Sequence, residues 1–222
     1  MKLNIKRETF AQGICFYKLF WIFFIGCFVG AVVETIYCLA VTGHFEIRWG
    51  VIYGPFNPVY GFGALIMTLI SCKVANKRDL WIFLICMFSG GVCEYFCSFF
   101  QEKIFHTISW DYKDTQFNFN GRTNLLYAFC WGLLGLVWVK DIFPRLSRII
   151  EKIPAKKGKI LTLILLVYMV LNMTISGLAA LRQKQRHENI PANSWLSSTL
   201  DKLYPDEFLE KFYPNLQRVD QK

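Results

Sequence analysis

Glu34 and Glu94 are the only acidic residues well inside the long apolar runs of this 222-residue chain. An ionisable group in hydrocarbon is costly, so such a carboxylate faces a partner, a cavity or water. Gly26, Gly30, Glu34 and Cys38 step by four residues, and so do Cys86, Gly90, Glu94 and Ser98. On a helix this spacing sets each glutamate on a stripe of small side chains, with Gly26, Gly30 and Gly90 letting a second helix approach closely. The chemistry open to such a pair is cation coordination, proton relay or contact with a polar substrate. The structural alternative is a glutamate hydrogen-bonded across a helix interface, or paired with Arg48 or Arg122.

Two segments follow the glutamates. Arg48-Trp-Gly-Val-Ile-Tyr-Gly-Pro-Phe-Asn-Pro-Val-Tyr-Gly-Phe-Gly63 holds Gly54-Pro55 and Asn57-Pro58, which interrupt a regular helix and favour turns. Trp110-Asp-Tyr-Lys-Asp-Thr-Gln-Phe-Asn-Phe-Asn-Gly-Arg122 holds the turn pair Asn120-Gly121. Their candidate substrate or pathway residues are Arg48, Tyr53, Asn57, Tyr60, Trp110, Asp111, Asn118, Asn120 and Arg122. Both segments lead into short apolar runs. Interrupted segments at matching places are the best sequence pointer to a binding site in a transporter. The alternative is a pair of ordinary interfacial turns rich in anchoring aromatics.

The matching places come from an internal repeat. Gly30-Ala-Val-Val-Glu34 parallels Gly90-Gly-Val-Cys-Glu94, and Trp49 stands as far from Phe56-Asn57 as Trp110 does from Phe117-Asn118. Two spans per unit make this a parallel repeat.

These segments are positioned by apolar runs at 17–41, 58–72, 80–100, 125–139 and 160–181. About 20 apolar residues cross a bilayer. The runs at 58–72 and 125–139 cover only about 22 Å at 1.5 Å per residue, so each must recruit flanking residues or be shielded by protein. The expected fold is all-α, a polytopic membrane protein of about five spans. The expected organisation is an N-terminal segment 1–16, repeat units 17–72 and 80–139 joined by a loop at 73–79, a basic connection 140–159, a fifth span 160–181 and an amphipathic tail 182–222. In the tail, Trp195, Leu196, Leu200 and Leu203 suggest one helix and residues 206–213 a second. In the basic connection, Leu146, Ile149, Ile150 and Ile153 share one helical face, suited to anionic lipid.

Composition agrees. Hydrophobic residues make up 54% and charged residues 18%, against roughly 25% charge in ordinary globular chains. The net charge of +9 is unevenly distributed. Lys2, Lys6, Arg7 and Lys18, then Lys73, Lys77 and Arg78, then the seven Lys and Arg of 140–159 fall on one side. Arg48, then Lys103, Lys113 and Arg122, then Arg182, Lys184 and Arg186 fall on the other. The positive-inside rule sets the N-terminus in the cytoplasm and the tail outside, across the plasma membrane. Basic loops at a membrane explain the charge without nucleic acid. Cysteines lie in or beside the runs with no CxxC, so neither a metal site nor a disulfide framework is indicated. No cofactor is implied, and no GxxxxGK[ST] phosphate loop is present.

The block Trp49-Gly-Val-Ile-Tyr-Gly-Pro-Phe-Asn-Pro-Val-Tyr-Gly-Phe-Gly63, with Glu34 upstream and Trp110-Asp-Tyr…Phe117-Asn…Asn-Gly-Arg122 downstream, resembles the Putative ABC-transporter type IV, or CmpB-like, family over residues 20–144. That resemblance implies a permease subunit partnered by a separate ATPase, and it assigns no substrate. Members often carry arginine directly before the glycine at position 50; here Trp49 stands there, with Arg48 one step back. Three function classes follow: a transport component, a membrane enzyme at the outer leaflet using Asp111 and Asp114 with Glu34 or Glu94, and a non-catalytic scaffold. Partners are the lipid bilayer, an ATPase subunit under the first class, and a second copy of the chain in a homo-oligomer.

Overall fold

The computed structural model describes residues 9–214 and 216–218. Lys2, Lys6 and Arg7 lie outside the described residues, as do positions 215 and 219–222 of the tail. Among the described residues, four helices are long and apolar enough to cross a membrane: α1 (Phe16–Thr42), α3 (Asp79–Phe105), the continuous stretch Leu125–Glu151 and α6 (Ala155–His187). A shorter apolar helix, α2 (Pro58–Val74), stands between α1 and α3 in the chain. The protein is all-α and multi-pass, with two-residue strands confined to its connections.

Local chemistry explains where the helices start and stop. Asn57 caps α2 by accepting the Val59 N–H at 3.1 Å, and Pro58 follows at the first helical position, where its missing N–H costs nothing. Asn124 caps α4 (Leu125–Val137) by accepting the Tyr127 N–H at 2.8 Å. α1 closes on Gly43 in the left-handed conformation. The run at 125–139 is short, but the helix is not. It passes through a π-helical turn, Trp138–Ile142, into α5 (Phe143–Glu151). There the Phe143 N–H reaches back five residues to Trp138, so the widened turn carries the chain past Pro144 without a break.

α1 packs on α2, and α3 on α4. The glycine stripes make both contacts. A Cβ on Gly30 would collide with the Tyr60 ring, and one on Gly90 with Trp131.

The connection 43–57 does not stay at the surface. The Asn57 N–H donates to the Cys27 carbonyl at 2.9 Å. Cys27 lies about four turns back from the end of α1, about 22 Å at 1.5 Å per residue. Val51, Ile52 and Phe56 are buried there. Irregular backbone at that depth survives only if protein satisfies it. α6 does so. The Ile52 N–H donates to Ser176 Oγ at 2.9 Å and the Tyr53 N–H to Asn172 Oδ1 at 3.1 Å. Asn172 and Tyr168 donate to the Tyr53 carbonyl at 2.6 and 2.7 Å.

The tail forms α7 (Trp195–Leu203) and α8 (Asp206–Phe212). Leu200, Tyr204 and Leu209 are buried against Ile52 and Ala179, whereas Trp195 and Leu203 stay exposed. Arg182 grips Asp201 with two bonds of 2.9 Å, and Arg186 reaches Asp201 at 2.6 Å and Asp206 at 2.5 Å. The Arg182 hydrogen bond leads in holding the Asp201 carboxyl below its usual range. A short pairing of β1 (Thr107–Ile108) with β4 (Gln217–Arg218) ties the chain end to the end of α3.

At the opposite end of α1, Lys18 is buried, with 1% exposure, and is paired with Glu151 and Ser147. Ile150 packs with Phe10 and Ile22, with Leu146 and Ile153 beside them, while Ile149 points outward. The apolar face expected at 140–159 is therefore largely spent on α1 and the N-terminal segment.

Candidate functional site

The two glutamates lie on α1 and α3, and each receives a tyrosine from beyond its own helix. The Tyr60 hydroxyl, in the first turn of α2, lies within electrostatic range of the Glu34 carboxylate. Tyr112, in the connection after α3, donates to Glu94 Oε1 at 3.0 Å, and Thr123 donates to Glu94 Oε2 at 2.7 Å. Burial first, and then the Glu94 charge, push the Tyr112 hydroxyl above its ordinary pKa, so it remains a donor.

Charge balance separates the two. Arg48 Nε lies 3.8 Å from Glu34 Oε1, beyond hydrogen-bond length, and both side chains are partly exposed. Glu94 is only 9% exposed. Among the described residues no basic nitrogen lies within 4.0 Å of it; its polar partners are the two hydroxyls. Arg122 pairs instead with Glu102 at 2.5 Å and lies over the Tyr95 and Phe99 rings at 5.7 and 5.6 Å.

The two carboxylates share neighbours. Tyr60 lies within electrostatic range of both Glu34 and Glu94, and Tyr127 of both Glu94 and Tyr37. The Tyr112 and Tyr127 rings stack at 4.7 Å and 21° beside Glu94. α2 and α4 meet at this level, with Gly63 facing Trp131. Tyr37 and Tyr127 carry the cluster to the surface.

The other sequence candidates divide into those that build the site and those that stand apart. Asn57 caps α2 and also donates to the Arg48 carbonyl at 3.3 Å, linking the cap to the cation. Trp110 Nε1 donates to the Arg122 carbonyl at 2.9 Å. Asn118 organises its own turn, donating to the Thr115 carbonyl at 2.7 Å and accepting the Gly121 N–H at 3.0 Å. Asp111 accepts the Lys113 N–H at 3.1 Å, and Asn120, with φ 53°, donates to Tyr95. Tyr53 is held by α6 and by Tyr204, hydroxyl to hydroxyl at 2.7 Å. Gly26 packs on Ala64 as part of the α1–α2 contact.

Sequence reasoning did not single out Tyr112, Thr123 or Tyr127. The signal for Tyr127 was its place three residues after Asn124, where a helix cap precedes an apolar run, just as Tyr60 follows Asn57. Two cavities of about 490 Å³ lie elsewhere, one lined by His106, Lys184, His187 and Glu188, the other by Lys77, Arg78 and Trp81. None of the candidates drawn from the sequence lines either hollow.

The model of the family described as Putative ABC-transporter type IV matches residues 21–177, which span both glutamates, both connections and most of α6. The chain belongs to this family. No curated protein and no solved structure matched. The family covers the polar cluster and the helices that build it, but not the tail, so it marks a membrane protein related to transport without defining a substrate.

Proposed function

We propose that the chain is a permease-like membrane component of a transport system whose ATPase is a separate subunit. One observation carries the reading: a nearly buried carboxylate, Glu94, without a basic partner, at the meeting of two helix pairs and within range of Tyr60, as Glu34 is. An intramembrane carboxylate kept at such cost marks a pathway or ligand site. The family match supports the transport setting.

On this reading residues 17–72 and 80–139 are parallel duplicates in the plasma membrane. The polar cluster and the tail face outward, and the basic end near α5 faces the cytoplasm. There, exposed Arg145 and Arg148 on α5 are available to a partner ATPase or to anionic lipid. The outer-leaflet enzyme draws little support, because Asp111 is engaged in its own turn.

The test is chemical cross-linking at Arg145 and Arg148 in membranes, mass identification of the partner, and co-reconstitution. A partner ATPase whose hydrolysis rises with this chain, and falls with Glu94→Gln, supports the reading. Hydrolysis indifferent to this chain contradicts it.

A further inference from the structure

Glu94 is held ready for a cation that the chain does not supply. Two hydroxyls fix both of its oxygens, and two stacked tyrosine rings lie beside it. In the spacing that pairs Trp49 with Trp110, the residue matching Arg48 is Ser109, which accepts from Gln101 Nε2 at 2.8 Å. The first half thus brings an arginine to its carboxylate and the second half does not. A desolvated carboxylate beside aromatic faces suits an alkylammonium: the charge meets the carboxylate, and the methylene or methyl groups meet the rings.

The approach is apolar. Tyr37 and Tyr127, at the surface of the cluster, are flanked by exposed Val33 and Ile36 on α1 and by exposed Leu126 and Phe129 on α4. In a bilayer those side chains face lipid tails, so a ligand arriving there carries an apolar tail of its own.

We infer that Glu94, walled by Tyr112 and Tyr127, receives the ammonium group of an amphiphilic cation entering from the lipid between α1 and α4. This rests on the transport reading for its purpose, but binding is measurable without it. No bond is made or broken.

The experiment is equilibrium dialysis of radiolabelled dodecyltrimethylammonium against the purified full chain in neutral maltoside micelles, with empty micelles subtracted. Saturable binding is expected. Glu94→Gln should weaken it at least about tenfold. Tyr127→Leu should weaken it roughly threefold to tenfold, while Tyr127→Phe, which keeps the ring, stays within about twofold. Displacement by added phosphatidylethanolamine would identify a lipid headgroup as the natural source; resistance to it would identify a free amphiphile. Absence of saturable binding, or unchanged affinity in a folded Glu94→Gln protein, overturns the inference. If Glu94→Gln does not insert, equal affinity of Tyr127→Leu and Tyr127→Phe overturns it. Ammonium binding without any ATPase coupling removes the transport reading alone, and coupling without ammonium binding removes this inference alone.

Discussion

The α1–α2 pair and the α3–α4 pair use the same construction. In each, a glycine stripe on the longer helix admits an aromatic ring from the partner, an asparagine caps the partner's start, and a tyrosine hydroxyl lies within range of a mid-helix glutamate. They differ in charge. Glu34 has Arg48 at 3.8 Å and is a quarter exposed; Glu94 has hydroxyls only and is nearly buried. They differ also in what holds the connection. The first dips to the level of Cys27 and is held by α6 and the tail, while the second is held by its own turns and the hairpin of β2 (Asn118–Phe119) with β3 (Thr123–Asn124). The common frame sets where the carboxylates sit, and the difference in counter-charge leaves Glu94, among the described residues, with hydroxyl partners only.

The largest expected effect tests the frame. Gly30→Val and Gly90→Val each force a side chain into a packed ring. Overpacking of that kind costs about 3 kcal/mol. Both variants should show a similar fall in melting temperature and in the monodisperse fraction. Collapse of one alone would mean the two pairs are not built alike.

Arg48→Met tests the charge difference from one side. It strips Glu34 of its cation; because the pair is partly exposed, a loss of about 1–2 kcal/mol is expected rather than the larger cost of breaking a buried pair. A double-mutant cycle with Glu34→Gln should show coupling, and the same cycle with Glu94→Gln should show little.

Removing a cap costs about 1 kcal/mol. Asn57→Ala and Asn124→Ala should cost similar amounts on thermal unfolding, because each amide also donates a second bond, Asn57 to the Arg48 carbonyl at 3.3 Å and Asn124 to Thr115 Oγ1 at 3.0 Å. A loss at one position alone would mean the two caps are not built alike.

The smallest effect concerns the tail. Asp201 is held below its usual range, chiefly by Arg182. A carboxylate whose folded pKa is depressed stabilises fully above its unfolded value, about 3.9, and that stabilisation is lost as pH falls through the folded value. A spin label at Lys202 should be immobile at neutral pH and loosen below about pH 4. A label beside Glu94 should keep its mobility over the same range.

Much of this was legible in the sequence. Five apolar runs, two intramembrane glutamates, the glycine stripes and both tail helices follow from periodicity and composition. Pairing of Glu34 with Arg48 was one of the alternatives that spacing offered. Other features depend on long-range packing that spacing does not encode. The continuation of α4 into α5 hides behind Pro144, a residue that ordinarily ends a helix. Lys18 reads as an interfacial lysine until Glu151, far along the chain, arrives beside it. Asn172 and Ser176 look like isolated polar residues in an apolar run, and only the descent of the first connection gives them backbone groups to satisfy. Arg122 carries as much sequence promise as Arg48, yet Glu102, about two turns beyond Glu94 on the same step-of-four stripe, captures it.

The most direct measurement compares Glu34→Gln with Glu94→Gln in the purified chain without ammonium ligand, read as the shift in melting temperature. Glu34→Gln removes one of the two carboxylates beside Arg48, leaving Glu46 at 3.9 Å, and a lowered melting temperature is expected. Glu94→Gln removes a buried charge that no cation offsets; its one amide oxygen still accepts from either Tyr112 or Thr123, and its N–H can donate to the other hydroxyl oxygen, so an unchanged or raised melting temperature is expected. A fall in Glu94→Gln equal to or larger than that in Glu34→Gln would contradict the account.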